Sequence, residues 1–290
     1  SNFFSNIIFR LLWMQLIFPF ELKVKGIKKL YSPMNFCPIL LKLFKIKVIL
    51  TLHSNLPWVY FHLMPGNIFR NFFTKKLMEL SIYSCNLLLV DSHFAKKEIT
   101  NILNISENKV KVVYLGIDNK FLSKDHQNNF IKSFDYNEKY IISVLSCVKY
   151  HNILNMLKAF KILIKDIKYD IKLVLVLQIL DRKYFYEINS YINKHFDKNK
   201  IIIINNIESE ALPNLYRYSQ LYVFSSYCEV FGLTSLEAMS QRCPVLISDC
   251  SALPEINDIA ADYFDPDNIL EIKDKMQKII FDEKYKNELI

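Results

Sequence analysis

Ser225-Ser-Tyr-Cys-Glu-Val-Phe-Gly-Leu-Thr-Ser-Leu-Glu-Ala-Met239, running on to Cys243-Pro-Val-Leu-Ile-Ser-Asp249, is the stretch whose reading decides the fold. It follows the apolar run Leu221–Phe224, predicts a helix opening near Thr234, and ends in a second apolar run, Val245–Ile247, which makes one strand–helix–strand unit. Gly232 is one of only four glycines in the chain, so its place at the turn answers a backbone need. The unpaired N–H groups of a helix's first turn are ready to hold a phosphate. Glu229 in the loop and Glu237 one turn into the helix can face the same ligand. Two carboxylates suit an anion poorly and suit sugar hydroxyls well, because ionised carboxylates only accept hydrogen bonds. Plainer readings stand beside this one. Thr234-x-x-Glu237 is a capping box in which Glu237 satisfies a backbone N–H, and Glu229 is an ordinary solvated loop residue.

Working outward, further apolar runs predict strands at Val48–Leu52, Leu87–Val90, Val110–Tyr114, Tyr140–Leu145, Lys172–Leu177 and Ile201–Ile204. They do not alternate, as befits parallel strands covered on both faces. Helical patterns fill Ile68–Tyr83, Phe94–Leu103, Ile153–Ile167, Tyr184–Phe196, Glu208–Tyr218 and Leu270–Phe281. Repeated alternation of this kind means a doubly wound α/β fold. The polar stretch from Ser123 to Phe130 marks a break, so the expected domains are residues 1–130 and 131–290. These are two Rossmann-like units facing a ligand cleft.

Of the net charge of +8, residues 1–130 carry 17 Lys+Arg against 7 Asp+Glu, a net of +10. A basic half beside a near-neutral one predicts an anionic partner, with a Lys-rich compositional bias as the equal alternative. The six cysteines form no C-x-x-C pair and no zinc-spaced cluster, which points to a reducing compartment and no structural metal. The apolar stretch from Phe3 to Phe20 is broken by Asn6, Arg10 and Gln15, short of the ~20 residues a bilayer needs. No small-residue cleavage site follows it. A cytoplasmic protein is expected.

Glu229-Val-Phe-Gly-Leu-Thr-Ser-Leu-Glu237, then Leu253-Pro-Glu-Ile256 and Asp262-Tyr-Phe-Asp-Pro266, resembles the E-x7-E signature of the family-four retaining glycosyltransferases of GT-B fold. Ser143-Val-Leu-Ser-Cys-Val-Lys-Tyr-His-Asn152 with Leu157-Lys-Ala-Phe160 resembles that family's pyrophosphate-binding segment. Leu212-Pro-Asn-Leu-Tyr-Arg-Tyr-Ser219 resembles the stretch before its signature strand. Val48-Ile-Leu-Thr-Leu-His53, Val90-Asp-Ser-His-Phe-Ala-Lys-Lys97 and Val112-Val-Tyr-Leu-Gly-Ile-Asp118 resemble successive landmarks of its acceptor domain. The matches cover nearly the whole chain in the right order, and that collinearity makes the resemblance specific.

The resemblance implies that residues 131–290 bind a nucleotide-sugar donor and residues 1–130 the acceptor. Glu229 would contact the donor sugar and Glu237 the ribose diol, while backbone amides from Phe231 through Gly232 and Leu233 to Thr234 hold sugar or phosphate. His53, with Glu229 one of the two catalytic residues the resemblance implies, would touch the donor sugar or phosphate from the opposite wall, its plain alternative being a buried core histidine. Where the family commonly places Arg and Lys on the pyrophosphate, this chain has Ser146 and His151. Lys149 or a protonated His151 would have to substitute. The family's usual glycine before Cys243 is Arg242, which a left-handed backbone would strain. The first strand with its glycine-rich loop and the closing helix are not matched, so an incomplete N-terminal domain and an incomplete chain are expected.

The function implied is retaining transfer of a sugar to a glycan or lipid-linked acceptor in surface polysaccharide or glycolipid synthesis. It would take place at the cytosolic face of a membrane, with residues 1–130 against anionic lipid and no nucleic acid as partner. No cofactor or metal is expected. Asp265-Pro-Asp267 has the look of a metal motif but precedes a helix that Asp267 or Asn268 can cap. The alternatives are a nucleotide-sugar epimerase or phosphorylase of the same fold, and a degenerate, non-catalytic GT-B module.

Overall fold

The structure, a computed structural model, describes residues 7–123, 131, 134–205 and 207–290. The polar break expected from Ser123 to Phe130 lies, beyond Ser123, outside the described residues. The chain divides into two compact units, Ser1–Phe61 with Gly66–Tyr114, and His62–Pro65 with Leu115–Ile290.

In the first unit α1 (Ile7–Leu12) passes through one π-helical stretch, Trp13–Ile17, into α2 (Phe18–Val24). Then come β1 (Lys29–Ser32), β2 (Lys47–Leu52), the short α3 (Leu56–Val59), α4 (Ile68–Ser84), β3 (Leu87–Val90), α5 (His93–Leu103) and β4 (Val110–Val112). The four strands are parallel and lie in the order β1-β2-β3-β4. β1 is an edge strand whose residues are alternately exposed and half-buried, and its Lys29-Leu-Tyr-Ser32 sequence lacks the apolar run that marks the others. Sequence reading therefore missed it. β4 ends two residues short of the expected Tyr114, because only Val110 of its three residues is buried.

The second unit holds β5 (Tyr140–Cys147), α6 (Ile153–Asp166), β6 (Lys172–Ile179), α7 (Arg182–His195), β7 (Ile201–Asn205), α8 (Leu212–Arg217), β8 (Leu221–Phe224), α9 (Leu233–Ser240), β9 (Val245–Ser248), α10 (Leu253–Asn257), β10 (Asp262–Phe264), α11 (Ile269–Phe281) and α12 (Glu283–Glu288). All six strands are parallel, in the order β10-β9-β8-β5-β6-β7. Most residues of the central strands are buried, which is why those strands read as unbroken apolar runs. The helices supply apolar stripes: Ile153, Met156, Leu157, Phe160 and Leu163 on α6 pack with Ile272, Met276 and Ile279 on α11 over that core. The helix expected over Glu208–Tyr218 divides into a 3₁₀ turn, Ser209–Ala211, and α8, with Pro213 in the first turn of α8. Asn268 caps α11, accepting from the Glu271 amide at 3.1 Å.

Chain order reverses between β5 and β8. β5 pairs with β6 over all eight of its residues but with β8 at Ile141–Leu221 and Ile142–Tyr222. The two strands therefore part toward their C-terminal ends, and a crevice opens where α/β sheets of this kind place ligands.

Candidate active site at the strand-order reversal

Two loops meet at that crevice. One leaves β5 at Cys147, makes a 3₁₀ turn over Lys149–His151 and enters α6 through Asn152, whose φ is 52°. The other leaves β8 at Phe224 and enters α9 through Gly232, with φ 90° and ψ 50°. The left-handed geometry is the backbone need that the glycine's placement implied. The loops are stitched together: the Tyr227 amide donates to the Tyr150 carbonyl at 2.8 Å, and the Ser225 hydroxyl to the His151 carbonyl at 2.9 Å.

Between them lies a cavity of about 470 Å³, the size of a small-ligand site. Ser146, His151, Glu229, Gly232, Leu233 and Thr234 line it, together with apolar side chains at the ends of β5 and β6 and with Gln178. Among the described residues no side chain caps α9, and its first residues, Leu233 and Thr234, line the cavity. That overturns the capping box. α9 begins at Leu233 rather than Thr234, and the Thr234 hydroxyl instead accepts from Tyr222 at 2.7 Å.

Among the described residues, Glu229 is tied by one oxygen alone. Its Oε1 accepts from the Ser226 hydroxyl at 3.0 Å and lies 3.2 Å from His151 Nε2. The other ring nitrogen, Nδ1, is 2.6 Å from the Ser146 carbonyl. Both partners of the nearly buried imidazole, the Ser146 carbonyl and the Glu229 carboxylate, present oxygens to it. The His151 ring thus stands at the position where the sequence lacked the family's lysine. Among the described lining residues none is Lys or Arg. Lys149 is exposed on the 3₁₀ turn and outside the lining, and Phe231 is buried beneath the turn.

Glu237 is half-buried and is not part of the lining. Its Oε2 accepts from the hydroxyl of the wholly buried Tyr216 at 3.2 Å. Burial raises its carboxyl above the usual range, partly offset by the Tyr216 hydrogen bond and by Lys120. With the folded value above the unfolded one, Glu237's contribution favours folding below its unfolded value and is lost as pH rises through the folded value. Glu237→Gln keeps an acceptor for Tyr216 and removes the buried charge. The variant is expected to melt no lower than the parent at neutral pH, with the difference shrinking on acidification, while nucleoside diphosphate affinity falls about tenfold. Calorimetry and titration check both halves. A lower melting temperature with unchanged affinity overturns the ligand role.

His53 belongs to the first unit, just past β2. It is not the buried core histidine of the plain reading: 40% of its side chain is exposed. Its Nδ1 lies 2.9 Å from Oδ2 of the buried Asp91, and its amide donates to Asn35 Oδ1 at 2.7 Å. Burial raises the Asp91 carboxyl, and the hydrogen bond and charge of His53 oppose the rise. The Asp265-Pro-Asp267 motif is engaged locally, Asp267 Oδ1 accepting from Tyr227 at 2.5 Å.

Sequence reading missed Tyr216, Tyr222, Ser226, Gln178 and Asp91. Tyr216 was within reach, since Leu212, Leu215, Tyr216 and Ser219 recur at helical spacing. The others have no signal in spacing.

Residues 124–290 match the family model described as Glycosyl transferases group 1, and residues 30–121 match that of Glycosyltransferase Family 4. Among curated proteins, the serotype-specific mannosyltransferase WbdA of Escherichia coli is 24% identical over 225 residues, covering 76% of this chain and 27% of its own length. The O-antigen chain mannosyltransferase RfbU of Salmonella typhimurium is 23% identical over 219 residues, covering 76% of this chain and 57% of its own. The chain thus spans between about a quarter and just over half of these relatives. Among solved structures, Anabaena HepE in complex with UDP and glucose superposes with a TM-score of 0.77 at 14% identity, covering 96% of this chain and 75% of that one. A Rickettsia africae glycosyltransferase does so at 0.70 and 19% identity, covering 98% and 74%. The fold is GT-B.

Proposed function

The chain belongs to the glycosyl transferases group 1 family, and from that membership we propose that it transfers a sugar from a nucleotide-sugar donor to a glycan or lipid-linked acceptor, with retention of configuration. The observation that carries the reading is the Glu229–His151 pair facing the uncapped start of α9 in one cavity. The α9 amides and the His151 side chain stabilise the departing diphosphate, and Glu229 Oε2 accepts from sugar hydroxyls. The bond between the anomeric carbon and the diphosphate oxygen breaks through an oxocarbenium-like state, the electron pair leaving with the nucleoside diphosphate. The acceptor oxygen bonds the same carbon from the same face and gives its proton to the leaving phosphate. The relatives' names support surface polysaccharide synthesis as the setting.

The test is incubation of the full-length protein with a panel of nucleotide sugars, with and without acceptor glycan. Transfer with retention releases free nucleoside diphosphate only when acceptor is present, and the product's anomeric configuration matches the donor's. EDTA leaves the rate unchanged if, as we propose, no metal takes part. Diphosphate release without acceptor favours the epimerase class. The lack of Lys or Arg among the described lining residues favours a second reading, a module that binds donor without turnover, and donor affinity with no product would establish it.

We further propose that the first unit meets an anionic membrane surface. Leu16, Ile17, Phe20 and Val24 are exposed on α1–α2, and Phe69, Phe72 and Phe73 on α4. Lys23, Lys25, Lys28 and Lys29 lie along the same first segment, and no described helix is long and apolar enough to cross a bilayer. Each Lys near the surface contributes about 1 kcal/mol against anionic lipid. Co-sedimentation with anionic vesicles is expected at low salt, to fall steeply with added salt, and to be absent with neutral vesicles. Equal binding to both vesicle types, or to neither, removes the membrane from this reading.

A further inference from the structure

A second cavity, of about 440 Å³, lies at the other end of the second unit's sheet. Lys139 just before β5, Gln220 just before β8 and Pro244 just before β9 place it at the strands' N-terminal edge. β5 alone runs eight residues, about 25 Å, so the donor cavity at the C-terminal ends is remote from it.

Four cationic side chains from separate segments line this second cavity: Lys139, Arg217, Arg242 and Lys286. Residues 131–290 carry 20 Lys+Arg against 22 Asp+Glu, so the cluster does not follow from a basic half. Glu138, which also lines the cavity, is paired with Lys172. The cations are held mostly by neutral groups. Arg217 donates to Gln241 Oε1 at 3.0 Å, and Lys286 to Gln220 Oε1 at 3.1 Å, with Glu283 4.0 Å away at the rim. Amide oxygens orient Arg217 and Lys286 without neutralising them, and Glu283 offsets Lys286 only across 4.0 Å.

Arg242 sits where the backbone disfavours it. The Cys243 amide bonds the Ala238 carbonyl at 3.1 Å, and the Arg242 amide the Met239 carbonyl at 2.8 Å. This is the Schellman close of α9, with Arg242 at the left-handed position, φ 60°, where glycine is the low-strain residue. An arginine held there against strain, over a cavity already lined by three cations, points to a charge requirement.

We propose that this cavity binds a phosphate group, carried by a small phosphorylated metabolite or by a lipid headgroup, at a site separate from the donor cavity. Arg217 and Arg242 supply the forked donors that phosphate oxygens accept, and Lys139 and Lys286 supply point charges.

The experiment is thermal shift and calorimetric titration of the full chain with inorganic phosphate and a hexose 6-phosphate, against chloride at matched ionic strength. Phosphate-specific stabilisation is expected. Arg242→Gly and Arg217→Gln should each weaken phosphate affinity about tenfold, and saturating nucleoside diphosphate, which occupies the donor cavity, should leave it unchanged. Arg242→Gly should also raise the melting temperature in phosphate-free buffer, because it relieves the left-handed strain, so its loss of binding cannot be misfolding. Phosphatidylglycerol vesicles retained by the parent and released by Arg242→Gly identify a lipid source; retention unaffected by that variant identifies a soluble one. No stabilisation beyond chloride, or stabilisation retained in both arginine variants, overturns the proposal. So does displacement of the phosphate by nucleoside diphosphate, which would return it to the donor cavity.

Discussion

Glu229→Gln is expected to lower kcat/KM for sugar transfer by about 10- to 100-fold while leaving the affinity for free nucleoside diphosphate nearly unchanged. The carboxylate spends Oε1 on Ser226 and His151, so Oε2 is the atom left for substrate. In the amide, the carbonyl oxygen must take over the Oε1 position to keep accepting from both donors, which turns an NH₂ toward the cavity. An anionic acceptor becomes a neutral donor, and a hydrogen bond to a charged group, about 1.5–3 kcal/mol, is lost from the sugar. A diphosphate without a sugar does not use that atom. Steady-state kinetics and titration with the nucleoside diphosphate separate the two outcomes. A fall of less than threefold in kcat/KM, or a parallel loss of diphosphate affinity, would falsify the assignment of Glu229 to the sugar.

Gly232→Val is expected to destabilise the chain by about 2–3 kcal/mol and to abolish donor binding. At φ 90° a branched side chain meets the steric cost of the left-handed region. Its Cβ would also stand 2.5 Å from Leu253 Cδ2, so the Leu253 side chain has to shift. Relief of the left-handed strain comes only if the turn rotates, and the turn is what places Leu233 and Thr234 on the cavity wall. Denaturant unfolding measures the first effect, and donor titration well below the midpoint measures the second. Gly232→Ala, with one methyl and no branch, should show a smaller version of both. A valine variant as stable as the parent and still able to bind would show that the left-handed turn is not what orients α9.

The sequence by itself determined the α/β alternation and most of the strands, because strands buried on both faces must be apolar throughout, and that pattern survives without knowledge of partners. It also marked Gly232, since a scarce residue at a strand-to-helix turn signals positive φ, and it marked the glutamates beside it. It could not show β1, whose edge position removes the apolar requirement, nor decide between a capping box and an uncapped helix start. Thr234 and Glu237 stand at capping-box spacing, and only the buried hydroxyls of Tyr222 and Tyr216, reaching them from β8 and α8, take both side chains away from the α9 backbone. The pairing of His151 with Glu229, 78 positions apart, was likewise decided by tertiary structure. So was that of His53 with Asp91, 38 apart. Local propensity and periodicity are written in neighbours along the chain, whereas a hydrogen bond between two loops depends on how strands are ordered in the sheet. The reversal between β5 and β8, not any motif, brings Ser146, His151 and Glu229 to one crevice.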